Sequence, residues 1–197
     1  MIKDYLSYYE TPLGKEMLRM ESEYLRSWLL KCSRILDIGC GPGVFERELS
    51  DLNIVGVDSS VEMIEAARQA SEGEFKVVSA DSLPFPDTSF DGLFFVTSLE
   101  FMKDYKRAID EAVRVLSDRG RIVALMLNLE SLYVRDKLSH GGYIAKNIRH
   151  KNVTSIAYYL SKKFNVEGRY MWGILEDRVF DSKDREYASI YAIRGYK

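Results

Sequence analysis

The chain has 197 residues, 46% hydrophobic and 29% charged, which is the composition of a soluble globular protein long enough for one domain with a filled core. Lys+Arg 28 against Asp+Glu 30 leaves a net charge of -2, so no overall basic field draws the chain to nucleic acid or anionic lipid. Cys32 and Cys40 lack Cys-x-x-Cys spacing and His140 and His150 lie far from both, which supports neither a disulfide framework nor a metal site.

The N-terminus has no apolar core of signal-peptide length, and no run approaches the ~20 apolar residues of a membrane span, so a cytoplasmic protein with reduced thiols is expected. The tyrosine-rich segment Tyr5 to Glu10 reads either as a core-covering flap or as a lid whose rings, Tyr9 among them, contact a ligand. Thr11-Pro12-Leu13-Gly14 reads as a turn. A helix follows from about Lys15 to Lys31, with Leu18, Leu25, Trp28 and Leu29 on one stripe.

Arg34 to Gly43 is a buried apolar run that ends in Asp37 and passes into glycines at 39, 41 and 43. It predicts a parallel strand, a tight turn and a helix start. Val44, Phe45, Leu49 and Leu52 face the core from a short helix, and Ile54 to Val57 form a second strand closed by Asp58. Ser59-x-x-Glu62 has the spacing of a capping box and opens a helix from Val61 to Ala70. Phe75 to Val78 is a third strand, ending near Asp81 and Ser82, and the prolines Pro84 and Pro86 forbid helix after it. Alternating strand and helix with short connections predicts a parallel sheet covered on both faces. Ligands bind beyond the carboxyl ends of such strands, where Asp37, Asp58 and Asp81 all fall. A single acid there is commonly a helix cap, whereas three together are not explained by capping.

Ile35 to Leu49, Val55 to Arg68, Val77 to Pro86 and Phe90 to Leu127 together resemble a class I S-adenosylmethionine-dependent methyltransferase, in the small ubiquinone/menaquinone-biosynthesis-type branch with a methyltransferase type 11 domain. The resemblance implies a single α/β domain over residues 1–197, with a Rossmann-like, doubly wound seven-stranded sheet. Residues 1–31 would form an N-terminal helical flap and helix, 32–127 the cofactor core, and 128–197 a substrate-side insert and the last strands. It also implies S-adenosylmethionine as cofactor. Asp37, Gly39, Cys40 and Gly41 would lie under the methionyl part. Asp58, with Ser59 and Met63, would hold the ribose, and Asp81, Ser82 and Leu83 would frame the adenine. Val96 and Thr97 would lie beside the sulfonium, with Tyr9 over the cofactor.

The remaining pattern continues the analogy. Phe90 to Val96 is a fourth strand, Asp104 begins a helix, Asp118 to Arg121 replaces the usual glycine turn, and Ile122 to Leu127 is a fifth strand. A helix over Thr154 to Lys163 and strands over Asn165 to Leu175 and Glu186 to Gly195 complete the expectation. Within the insert from Asn128 to Lys151, His140 to Tyr143 is either a substrate contact or a solvated loop.

Many relatives carry two histidines where this chain has Glu100 and Phe101. That loss removes the commonest base near pH 7 and leaves Glu100 as the catalytic candidate, with helix capping or pairing to Lys103 as its structural alternative. A small-molecule acceptor is favoured by the acidic balance. A protein or RNA acceptor has only the Lys146, Arg149, His150 and Lys151 cluster in its support, and a cofactor binder without turnover is the third reading. A dinucleotide site is disfavoured because Val44 stands where Gly-x-Gly-x-x-Gly needs its third glycine. The chain is expected to work as a monomer or homodimer.

Overall fold

The computed structural model describes residues 2–197, with side chains from Tyr5 onward; Met1 lies outside the described residues. Two helices lead in, α1 (Ile2–Glu10) and α2 (Pro12–Leu29). The Thr-Pro-Leu-Gly stretch is therefore a helix start and not a turn. Pro12 occupies the first helical position, where its missing N–H is no loss, and Thr11 Oγ1 accepts from Gly14 N at 2.9 Å. The same hydroxyl donates to Tyr8 O at 2.7 Å, tying the end of α1 to the start of α2.

The central run then alternates as expected: β1 (Ile35–Ile38), α3 (Val44–Glu48), β2 (Ile54–Asp58), α4 (Val61–Ala70), β3 (Glu74–Val77), β4 (Phe90–Val96), α5 (Tyr105–Val115) and β5 (Leu116–Leu127). α4 is capped by Ser60, whose Oγ accepts from Met63 N, rather than by Ser59 as a Ser-x-x-Glu box would have it. Asp104 caps α5 by accepting from the amides of Lys106 and Arg107. α6 (Leu132–Ser139) and α7 (Tyr143–Asn147) occupy the insert, and α8 (Val153–Lys163), β6 (Asn165–Leu175), β7 (Arg178–Phe180) and β8 (Ala188–Tyr196) complete the chain.

The sheet has eight strands in the order β3-β2-β1-β4-β5-β8-β6-β7, one more than the sequence led us to expect. β1 to β5 are parallel neighbours, whereas β8, β6 and β7 join antiparallel. The extra strand comes from a two-residue hairpin at Glu176 and Asp177, both at positive φ (49° and 56°). That is the twist a tight hairpin needs, made here without the Asn-Gly pair that would announce it.

Successive residues of each central strand serve opposite layers. Leu93 and Phe95 pack with Leu36, Ile38, Ile109 and Leu160 on the α5 and α8 side. Phe94 and Val96 pack with Ile35, Leu25, Leu29 and Phe45 on the α2 and α3 side. Strand order reverses between β1 and β4, which opens a crevice at their carboxyl ends.

The Thr11 link ties α1 to α2, beside the ring contacts of Tyr5 and the packing of Leu6 and Tyr9. Thr11→Ala is expected to cost about 1 kcal/mol in urea unfolding and to expose α1 to faster proteolysis than in wild type.

Candidate functional site

The crevice is a cavity of about 740 Å³. Its glycine-rich wall follows from three left-handed backbone positions, Gly39 (φ 90°), Gly41 (φ 53°) and Gly43 (φ 73°). At Gly39 a Cβ would lie 2.6 Å from the Cβ of Ser98, and Ser98 Oγ in turn donates to Ile38 O at 2.9 Å, so β1 and the end of β4 close on each other there. A Cβ at Gly41 would face open space toward the Tyr5 ring, with nothing nearer than 3.8 Å. That exposed backbone is the cradle a ligand can occupy.

Asp58 stands at the end of β2 and uses both carboxylate oxygens locally. Oδ2 accepts from Gly41 N at 3.0 Å and Oδ1 from Ser60 N at 2.8 Å, fixing the glycine loop and the start of α4 to one group. Each oxygen retains a lone pair toward the cavity. Asp58, Gly39, Gly41, Ser59, Met63, Asp81, Val96, Thr97 and Tyr9 all line the cavity. Thr97 is held at φ 41°, an uncommon conformation for a branched residue, with its amide donating to Leu125 O at 2.7 Å.

Five other candidates stand outside it. Asp37 is buried below the loop against Glu46 of α3. Burial, then the Glu46 charge, pushes its carboxyl well above the ordinary range. Cys40 turns into a small cluster with Ile64, Ala67 and Phe75. Leu83 belongs to the core, its amide donating to Glu111 Oε2 at 2.8 Å, and Ser82 beside it is exposed away from the cavity.

Glu100 is fully buried rather than facing the cavity. Its Oε1 accepts from Leu127 N at 2.6 Å at the end of β5, and its backbone carbonyl accepts from the amides of Arg149 and His150, each at 2.9 Å. The residue thus latches the β4 end to β5 and to the segment leading into α8. The cluster from Lys146 to Lys151 is held to the domain through the same carbonyl.

The roof comes from α1 and from the insert that carries α6 and α7. Tyr5 meets Tyr143 of α7 edge-on at 5.9 Å between centroids, Tyr143 lies 6.2 Å from Phe101, and the Tyr5 and Tyr9 hydroxyls are 3.3 Å apart. His140 and Tyr143 of the insert both line the cavity. Glu21 of α2, Ser98 and Tyr133 are site residues the sequence reading passed over. Glu21 did leave a signal, since an acid sits on the apolar stripe between Leu18 and Leu25. Among the described residues no group of three or more His, Cys, Asp or Glu side chains is placed to hold a metal ion, and no helix is long and apolar enough to cross a membrane.

A parallel sheet reversing at β1/β4, with a glycine loop and a strand-end acid at the crevice, is the arrangement of an α/β domain that binds a nucleoside-containing ligand. Comparison with known proteins gives similarities of the same kind. Residues 36–124 match the family model described as "Methyltransferase domain". A demethylmenaquinone methyltransferase of Thermotoga maritima is 37% identical over 99 residues, covering 48% of this chain and 43% of its own length. An O-methyltransferase of Aspergillus nomiae is 29% identical over 143 residues, covering 64% of each chain. The chain thus spans less than two thirds of the length of either relative. A crystal structure from Thermotoga maritima, titled as an S-adenosylmethionine-dependent methyltransferase and possible histamine N-methyltransferase, superposes with a TM-score of 0.83 at 24% identity, covering 100% of this chain and 96% of that one. Residues 36–124 thus match a methyltransferase domain model, and the chain as a whole shares the fold of that solved structure.

Glu100 has a folded-state pKa raised by burial to about 7 from 4.5. The folded state therefore holds the proton more tightly than the unfolded chain. The stability this contributes is complete below pH 4.5 and is lost as pH rises through 7. Glu100→Gln keeps an acceptor for Leu127 and removes the titration. Urea unfolding at ~pH 5 and ~pH 8 should show the wild-type decline shallower in the variant by on the order of 3 kcal/mol.

Proposed function

We propose that the protein transfers a methyl group from S-adenosylmethionine to a small molecule. The observation that carries this is the convergence of Gly39, Gly41, Asp58, Asp81 and Thr97, drawn from the ends of β1 to β4, on one roofed cavity of about 740 Å³. A nucleoside with an amino-acid arm matches that outline in size and polarity.

In this reading the cradle at Gly41 accepts the methionyl arm against bare backbone. Asp58, already oriented by two amides, accepts the ribose hydroxyls with its remaining lone pairs. Asp81 and the neighbouring Ala80 frame the base, and Val96 and Thr97 form the wall beside the sulfur. The cofactor supplies a methyl group already activated on a sulfonium. What remains for the chain is to position the acceptor in line and to exclude water, the task of the tyrosines of α1 and of α7. A small-molecule acceptor is supported by the closed roof and by the names of relatives that act on demethylmenaquinone or as O-methyltransferases. Glu100 has no catalytic part in this proposal, since its carboxyl is used on the Leu127 amide.

Calorimetry tests it. Wild type is expected to bind S-adenosylmethionine and S-adenosylhomocysteine, and Asp58→Ala to weaken both by ~2 kcal/mol or more, about 30-fold. Binding of nicotinamide dinucleotide in their place would refute the proposal.

A further inference from the structure

One buried acid in the cavity has no part in holding a nucleoside. Glu21 lines the cavity and is 5% exposed, and among the described residues its carboxyl has no cation or hydrogen-bond donor as partner. Burial alone pushes it up to about 8. α2, which carries it, packs over β5 and β7, whereas Asp58 and Asp81 lie at the β2 and β3 side of the sheet.

The surroundings of Glu21 are aromatic. Its charge is felt by the phenols of Tyr5, Tyr8 and Tyr9, all raised first by burial. The Tyr8 phenol lies near that of Tyr133 of α6, and Tyr8 and Tyr9 stack edge-on at 5.3 Å between centroids. Met17 and Ile190 add apolar wall. Lys103, Lys137 and Arg149 also line the cavity, but they are exposed at its rim and none pairs with Glu21.

A desolvated carboxyl without a partner is costly, and π faces attract cations. A neutral acceptor can offer the carboxyl a hydrogen bond but no charge to offset its burial as a carboxylate, and an anion would be repelled by it. Only a cation satisfies both the acid and the rings.

We propose that Glu21, beside Tyr5, Tyr8 and Tyr9, is the acceptor-binding group of this cavity and that it takes a cationic amine as the methyl acceptor. The inference rests on the methyltransferase reading above. The bound ammonium gives one proton to Glu21: an N–H bond breaks, an O–H bond forms, and the electron pair stays on nitrogen, which becomes the neutral nucleophile that methylation requires. Loss of that proton to solvent returns Glu21 to its starting state.

The test uses the full chain saturated with S-adenosylhomocysteine and compares 2-phenylethylamine with 2-phenylethanol, two probes of similar shape, by NMR titration. Wild type is expected to bind the amine about 10-fold or more tighter than the alcohol. Glu21→Gln should abolish that preference and Glu21→Asp should retain part of it, while S-adenosylhomocysteine affinity stays within about twofold in both. Equal binding of the two probes by wild type, or no detectable binding of either, overturns the proposal without reference to any variant. So does a Glu21→Gln protein that keeps the preference or loses S-adenosylhomocysteine. Failure of wild type to bind S-adenosylhomocysteine overturns the methyltransferase reading instead, which separates the two conclusions.

Discussion

The approach of the Gly39 backbone to Ser98 is the constraint on which the cavity depends. A Cβ at position 39 would sit 2.6 Å from that of Ser98, so any side chain there forces β1 and the β4 end apart. With glycine in place the loop turns back far enough for Gly41 to reach Asp58, and the same carboxylate receives Ser60 at the head of α4. One left-handed residue thereby sets the spacing of three strand ends and one helix start.

Four buried acids surround this arrangement, and each meets desolvation differently. Asp37 and Glu46 lie beneath the loop, and burial pushes both carboxyls up. Glu100 answers it with the Leu127 amide. Glu21 has no such internal partner, and it alone of the four faces the cavity. The contrast separates acids that hold the fold from the one available to a ligand.

The roof joins residues far apart in the sequence. Tyr5 from α1 and Tyr143 from α7 meet above the glycine loop, with Phe101 beneath them. A cover built from two separate segments is complete only when both dock, which suits a cavity that holds its ligand away from water.

The sequence by itself determined the central βα alternation, because buried parallel strands read as continuous apolar runs and the acids follow directly at their ends. It likewise determined the glycine loop and Asp58, where local backbone chemistry and position in the strand carry the signal. Tertiary structure decided the rest. The eighth strand depends on a Glu-Asp hairpin that packing, not turn propensity, holds at positive φ. Glu100 sits next to the strand end that carries Thr97, yet the β5 amide takes its carboxyl out of the cavity. Leu83 and Cys40 lie near the site in sequence and face the core in space. Glu21 is far from the glycine loop along the chain, and only the docking of α1 and α2 over the sheet brings it to the ligand side, since side-chain direction is set by packing between elements and not by order along the chain.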